Sequence, residues 1–318
     1  MLAFDAFRRR YLDVRFRTRR GARLRLVERP GLWMSEAEQR AIVEDVRQVV
    51  VAGVGPAGLG YGVIADPETL KRAIVTVIYS EHTGQPVAFN ALHVLECELR
   101  GRTEEVLHLG LVMIDPAYRQ AGLTGALYGI TCFLLCARGQ MRPFWITSVT
   151  QVPLIFGIVG EFVEDVFPTP GTGARRSFAH LQLARQLTTN YRHVYGVGPE
   201  AEFDEEKFIL RNAYTGGSDN LKKSFDEAPK HRDEAANAMC RTQLDYARGD
   251  DFVQVGRFNV SVARRYLTRS ADLISPFSLL THGAMLLGES VVAPAMQWLT
   301  PERAMGDLRP AREPGVTP

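Results

Sequence analysis

Hydrophobic positions in this chain follow two rhythms, and their order predicts a mixed fold. Phe4, Phe7, Tyr11 and Val14 recur at spacings of three and four, which predicts an amphipathic helix over residues 3–18 with arginines on its other face. Residues 23–29 alternate and predict a strand ended by Pro30. Ser35 and Glu38 have capping-box spacing and open a helix reaching about Val50. From residue 73 the pattern becomes extended. Residues 73–80 and 86–96 are apolar runs joined by Glu81-His82-Thr83-Gly84-Gln85, the signature of a hairpin. A third strand is expected over 104–114, a helix over 122–138, a strand over 143–150 and a helix over 153–163. This order of three antiparallel strands followed by a βαβ unit defines an α+β class. It is an α/β three-layer arrangement, with a mixed, mainly antiparallel central sheet flanked by helices.

The break Pro168-Thr169-Pro170-Gly171-Thr172-Gly173 predicts a boundary. Three regions follow: a basic amphipathic N-terminal helix (1–22), a core (23–170) and a mostly helical C-terminal extension (171–318). Residues 215–234, charged and glycine-bearing, are expected to form a mobile loop.

Composition narrows the function. With 318 residues, 46% of them hydrophobic, the chain suffices for one large domain or two ordinary ones. The net charge of +2 is uninformative, but residues 1–30 hold ten arginines against three acids. No nucleic-acid recognition motif accompanies them, so nucleic acid is not the expected partner. The four cysteines form no C-x-x-C pair, so neither a metal site nor a disulfide framework is expected. A reducing, cytoplasmic location follows, with no apolar leader after the basic stretch. Residues 273–299 are apolar, but His282, Glu289, Pro276 and Pro294 make them a poor membrane span. Two readings stay open: a helix packed on the core or in a homodimer interface, and an interfacial helix in peripheral contact with anionic membrane.

The segment Leu111-Val112-Met113-Ile114-Asp115-Pro116-Ala117-Tyr118-Arg119-Gln120-Ala121-Gly122-Leu123-Thr124-Gly125-Ala126-Leu127 carries the chemistry. A strand ends, the chain turns, and a helix begins near Gly122. Such a turn aims unpaired N–H groups at one point beside the positive end of the helix dipole, where a diphosphate fits. Gly122 allows close approach, Arg119 supplies charge and Thr124 a hydroxyl.

Ile114, Pro116, Arg119 and Gly122, with the preceding hairpin and the later Gly160-Glu161-Phe162, resemble the GNAT superfamily of N-acyltransferases over residues 23–168. Thr124 stands where the family has Gly or Ala. The resemblance implies a GNAT-like core and an enzyme using acyl-CoA or acetyl-CoA, or a carrier-protein thioester, as acyl donor. The acceptor is an amine or hydroxyl on a small molecule, peptide or lipid. It also implies that Val112, Met113, Ile114, Arg119, Gln120, Ala121, Gly122, Leu123 and Thr124 bind the donor. Its general base would be His108 or Glu105, on the same strand. Each has a plainer reading: an ordinary hydrogen-bonded strand histidine, and a solvated strand-edge charge. The family's Tyr, four residues before the Gly of Gly-Phe, is here Phe156. That departure opens an alternative, an acyl-CoA-binding module without turnover.

A second motif competes. Gly53-Val54-Gly55-Pro56-Ala57-Gly58 matches the G-x-G-x-x-G dinucleotide fingerprint, with Glu81 downstream as a ribose acid for a flavin or NAD oxidoreductase. The fingerprint needs a strand before the glycines and a helix directly after them. Gly60, Gly62 and Pro67 oppose such a helix.

Overall fold

The computed structural model describes residues 11–17, 22–56, 62–64, 66–139, 141–171, 175–216 and 218–269, and scattered positions between 280 and 295. An eleven-stranded sheet runs through it. The strands are β1 (Asp13–Arg17), β2 (Arg23–Glu28), β3 (Ala73–Tyr79), β4 (Pro86–Leu99), β5 (Arg102–Leu109) and β6 (Val112–Ile114). They continue with β7 (Phe144–Thr150), β8 (Glu164–Phe167), β9 (Glu202–Asp204), β10 (Ile209–Arg211) and β11 (Asp251–Phe258). Their spatial order is β1-β2-β3-β4-β5-β7-β11-β10-β9, with β6 beside β4 and β8 beside β11. All of these pairs are antiparallel except β5 with β7.

Among the described residues six α-helices flank the sheet: α1 (Glu36–Val54), α2 (Leu123–Arg138), α3 (Pro153–Phe162), α4 (Phe178–Asn190), α5 (Glu234–Gln243) and α6 (Val260–Arg269). Strand alternation sorts their contacts onto two faces. Ile74, Ile78, Leu92, Leu107 and Ile146 pack with α2 and α6. On the opposite face, Val75, Val77 and Phe89 pack with α1. Also on that face, Val106, Val253 and Val255 pack with α4. The α+β class and the mainly antiparallel mixed sheet expected from the pattern are observed.

Local chemistry explains the element ends. Ser35 and Glu38 form the reciprocal capping box at the start of α1. Buried Glu28, at the end of β2, forms an ion pair with Arg138 at the end of α2, tying the first hairpin to the helix layer.

Two expectations need correction. Residues 13–17 form a strand, not the end of a helix; residues 1–10 lie outside the described residues. From residue 13, Asp13, Arg15 and Arg17 alternate with Val14 and Phe16, a period of two that pairs with β2. Residues 171–269 are not simply helical, because they hold β9, β10 and β11. Strand β11 sits inside the sheet against β7, so the core extends past the Pro168–Gly173 break. Val49–Gly53 is the end of α1, in keeping with the helix expected to about Val50, so the competing dinucleotide fingerprint lacks the strand it needs. Of residues 273–299 only scattered positions are described; a Cβ on Gly283 would meet Phe133 of α2 at 3.0 Å. Among the described residues, no helix is long and apolar enough to cross a membrane.

The strand expected over 104–114 is interrupted. His93 pairs with His108 and Asn90 with Val112, so three steps on β4 face four on the other strand. The extra residue is a β-bulge at Gly110–Leu111, which bends the strand. Gly110 is required there, since a Cβ would come within 2.3 Å of the Ala91 carbonyl oxygen. Gly125, in α2, has no atom within 4 Å of its virtual Cβ. Gly110→Ala should therefore cost ~1–3 kcal/mol of stability. Gly125→Ala should be neutral or stabilising by up to ~1 kcal/mol. Denaturant melts of the two variants check this contrast.

Candidate functional site

The bulge opens the site. Strand β5 pairs with β7 only as far as Leu109 with Ser148. Beyond that point β6 follows β4, while β7 continues along β11 to Thr150. A cavity of about 340 Å³ fills the gap, with Val112, Met113 and Ile114 on one side and Ser148, Val149 and Thr150 on the other. That volume is within the range of small-ligand sites. The edges of β6 and β7 that face it have no strand partner among the described residues.

At one end lies the turn singled out from the sequence. Residues Pro116–Ala121 form a 3₁₀ turn whose start is capped by Asp115, which accepts from the Ala117 N–H at 2.8 Å. Gly122 then takes a left-handed conformation at φ 69° and opens α2. A residue with a Cβ pays for that conformation, which glycine adopts freely. Arg119 and Thr124 line the cavity, while Gln120, Ala121, Gly122 and Leu123 build the turn and the first helical residue. The exposed Arg119 guanidinium donates to the Gly53 carbonyl at 3.4 Å. Lys223, absent from the sequence expectations, also lines the cavity. Burial first, and then repulsion from Arg119, lowers its pKa. Two cations thus flank the positive end of a helix, as an anion site requires.

The far wall comes from the C-terminal half. Tyr195, Tyr214 and Asp251 contribute, and Leu221, Lys223, Glu227 and Pro229 add a further stretch of lining, anchored by the Leu154 N–H on the Pro229 carbonyl at 3.0 Å. The stretch expected to be a mobile loop is therefore largely a wall of the site.

His108 lies in the wall, buried, with Nδ1 3.1 Å from the Thr147 hydroxyl and its ring 5.1 Å from that of Tyr195. Desolvation by burial, and secondarily His93, push its pKa down to about 3. It is a neutral imidazole at physiological pH and a weak proton acceptor. Its cross-strand partner His93 is lowered to about 4, again mainly by burial.

Glu105 is not at the site. It stands three residues from His108, so the pleat turns it to the other face. Its largely exposed carboxylate instead pairs with Arg29 at 2.5 Å. Phe156 is also elsewhere. Its ring is fully buried against Phe252, with centroids 4.6 Å apart, and does not line the cavity. Two β7 hydroxyls line the gap: that of Thr150 accepts from the Val152 N–H at 3.0 Å, while that of Ser148 is buried and without a hydrogen-bond partner among the described residues.

Asp251 is 5% exposed and receives a hydrogen bond from the Tyr214 hydroxyl at 3.1 Å. Among the described residues no Lys or Arg pairs with it. Desolvation raises its pKa to about 8, with the Asp250 charge adding to the rise and the Tyr214 hydrogen bond opposing it. Both Asp251 and Lys223 were invisible to sequence reading because they lie far along the chain from the Val112–Thr124 segment. The one local signal was the pair Asp250-Asp251 at the head of an apolar strand.

All four cysteines are free and buried. Among the described residues, no group of His, Cys, Asp and Glu is arranged to hold a metal ion.

No family model and no curated protein matches this chain. Among solved structures it is similar to a conserved protein of unknown function from Enterococcus faecalis V583, a probable N-acyltransferase, at 10% identity and a TM-score of 0.31. The similarity covers 74% of this chain and 66% of that one, so the chain spans just under two thirds of that protein's length. A likeness this distant carries no functional argument, and the site is read from its own geometry.

The buried titratable groups set opposite pH dependences. His93 and His108 have depressed pKa values, so their contribution is present above the ordinary value of 6.5 and is lost as pH falls towards 4 and 3. Asp251 is raised from 3.8 to about 8, so its protonated form favours the fold, and stability falls as pH rises through that window. Thermal melts should show His108→Gln losing less stability than wild type between about pH 6.5 and pH 4.5. Asp251→Asn should lose less between about pH 5 and pH 8. Parallel curves for all three proteins would contradict these assignments.

Proposed function

We propose that this chain transfers an acyl group from a CoA thioester to an amine or hydroxyl acceptor. One observation carries the reading: a cavity bordered by two unpaired strand edges, entered beside a helix N-terminus with two cations. Buried backbone groups need partners. The two amides of a pantetheine arm supply them along Val112–Ile114 and β7. The diphosphate then rests on the Arg119–Thr124 turn, beside Lys223. A carrier-protein thioester presents the same arm and one phosphate.

The thioester carbonyl comes to lie at the bulge, where the splayed strand leaves main-chain N–H groups free to stabilise an oxyanion. The acceptor attacks this carbon directly. The leaving sulfur needs a proton or a hydrogen bond, and the residue at position 156 is Phe. Ser148 fills that role, because its hydroxyl lines the gap with no other partner among the described residues. A second reading, an acyl-CoA-binding module without turnover, rests on Phe156. Thiol release from acyl-CoA in the presence of acceptors separates the two.

Gly122→Asp puts a negative side chain where the diphosphate rests. CoA binding, followed by calorimetry, should be lost with the fold retained, because Asp tolerates the left-handed conformation better than most residues. Lys223→Ala should weaken CoA binding about tenfold, an effect that shrinks as salt rises. Ser148→Ala should lower kcat by ~10²-fold with CoA affinity unchanged. Normal CoA binding by folded Gly122→Asp would remove the diphosphate assignment.

A further inference from the structure

We propose that Asp251, oriented by Tyr214, is the base that takes the proton of the acceptor, and that this acceptor is a primary amine. The inference rests on the acyl-transfer reading and assigns its acceptor half-site.

The geometry separates two approaches. Thr124 and Tyr128 of α2 reach the cavity from one face of the sheet, together with Arg119 and the phosphate turn. Asp251 precedes Phe252 on β11. Phe252 pairs with Thr150 and packs on Phe156, so its neighbour Asp251 turns to the opposite face, the side of Val149, Val253 and Tyr195. The donor thus enters from the α2 side, and Asp251 waits across the gap at the cavity's other wall.

The chemistry of the group fixes what it receives. A buried carboxyl is costly when ionised unless a positive charge joins it. Here the neighbouring Asp250 is already held by Arg248 at 2.6 Å, and among the described residues the Asp251 carboxyl has only the Tyr214 hydroxyl. The titratable and charged groups around it are Tyr214, Tyr246 and Asp250, with His108, Lys223 and Glu227 elsewhere on the cavity wall. Lys223 acts on Arg119 and Glu227. The missing counter-charge is supplied by a ligand ammonium. Burial brings the proton affinity of Asp251, near pH 8, close enough to that of an amine for transfer in either direction. A hydroxyl offers neither the charge nor the match.

The step balances as follows. An ammonium enters and gives one proton to ionised Asp251, which passes it to water. The amine lone pair forms a bond to the thioester carbonyl carbon, and Asp251 takes the second N–H proton. The C–S bond breaks with its electron pair on sulfur, and the thiolate accepts a proton relayed through Ser148 from water. The products are an amide and free CoA thiol.

The test uses the full chain, with hexylamine as probe, CoA or acetyl-CoA, and the variants Asp251→Asn, Tyr214→Phe and His108→Ala. Calorimetry should show hexylamine binding to the wild-type CoA complex and at least tenfold weaker binding to Asp251→Asn, with CoA affinity the same in both. Thiol release from acetyl-CoA should rise with pH to a midpoint near 8 in the wild type. It should fall by ~10²-fold or more in Asp251→Asn. Tyr214→Phe should keep activity but move the midpoint upward, since it loses the hydrogen bond that favours the carboxylate; a merely structural Tyr214 would leave the midpoint in place. Equal hexylamine binding by wild type and Asp251→Asn, or none by either while CoA still binds, overturns this inference and leaves acyl transfer standing. Loss of the pH midpoint in His108→Ala with Asp251→Asn unaffected also overturns it. Failure of the wild type to bind CoA at all sinks the acyl-transfer reading itself, and this inference with it.

Discussion

The close contact of Gly110 with the Ala91 carbonyl is the constraint on which the site depends. It lets one extra residue be absorbed opposite β4, and that residue turns β6 away from β7. A continuous ladder would satisfy every backbone group and leave no gap. The bulge instead leaves two strand edges facing a shared space, and the fold spends its remaining elements on closing that space. Helix α2 covers one face, α4 with Tyr195 covers the other, and residues of the segment Leu221–Pro229 line the cavity.

The charges in the cavity are sorted by position. Arg119 and Lys223 stand beside the start of α2, where the dipole is already positive, so an anion is favoured there twice over. Asp251 is buried on the opposite side and forms no ion pair with a cation among the described residues. In a low-dielectric space such a division orients a ligand that is negative at one end and positive at the other. His108, in the cavity wall, and its cross-strand partner His93 are buried as neutral rings and add no net charge at physiological pH.

Much of this was legible along the chain. The hairpin, the strand over 104–114, the helix beginning at Gly122 and the helix after Pro153 all appear within a few residues of their expected limits. These elements are long, strongly periodic and bounded by Gly or Pro, the conditions under which local pattern reflects burial. The N-terminal segment misled because Phe4, Phe7, Tyr11 and Val14 fit a helical period, while Val14 in fact belongs to an alternating run. Pairing with β2, reinforced by the Arg25–Asp13 ion pair at 3.0 Å, decided the outcome. Glu105 misled in a similar way: nearness in sequence to His108 says nothing about which face of a pleat a side chain takes.

By itself, the sequence determined the class of fold and the turn that opens α2 at Gly122, because both depend on interactions within short spans: side-chain periodicity, a left-handed glycine, and N–H groups at a helix start. Tertiary structure alone decided where the strand bulges, which wall closes the cavity, and which carboxyl is stripped of water. Those outcomes come from pairing β11 with β7 and bringing residues of Leu221–Pro229 to the cavity wall, contacts between residues some 100 positions apart. Desolvation of Asp251 is a property of that enclosure. No feature of residues 250 and 251 in isolation encodes it, since a carboxyl's proton affinity is set by the surroundings that replace its water.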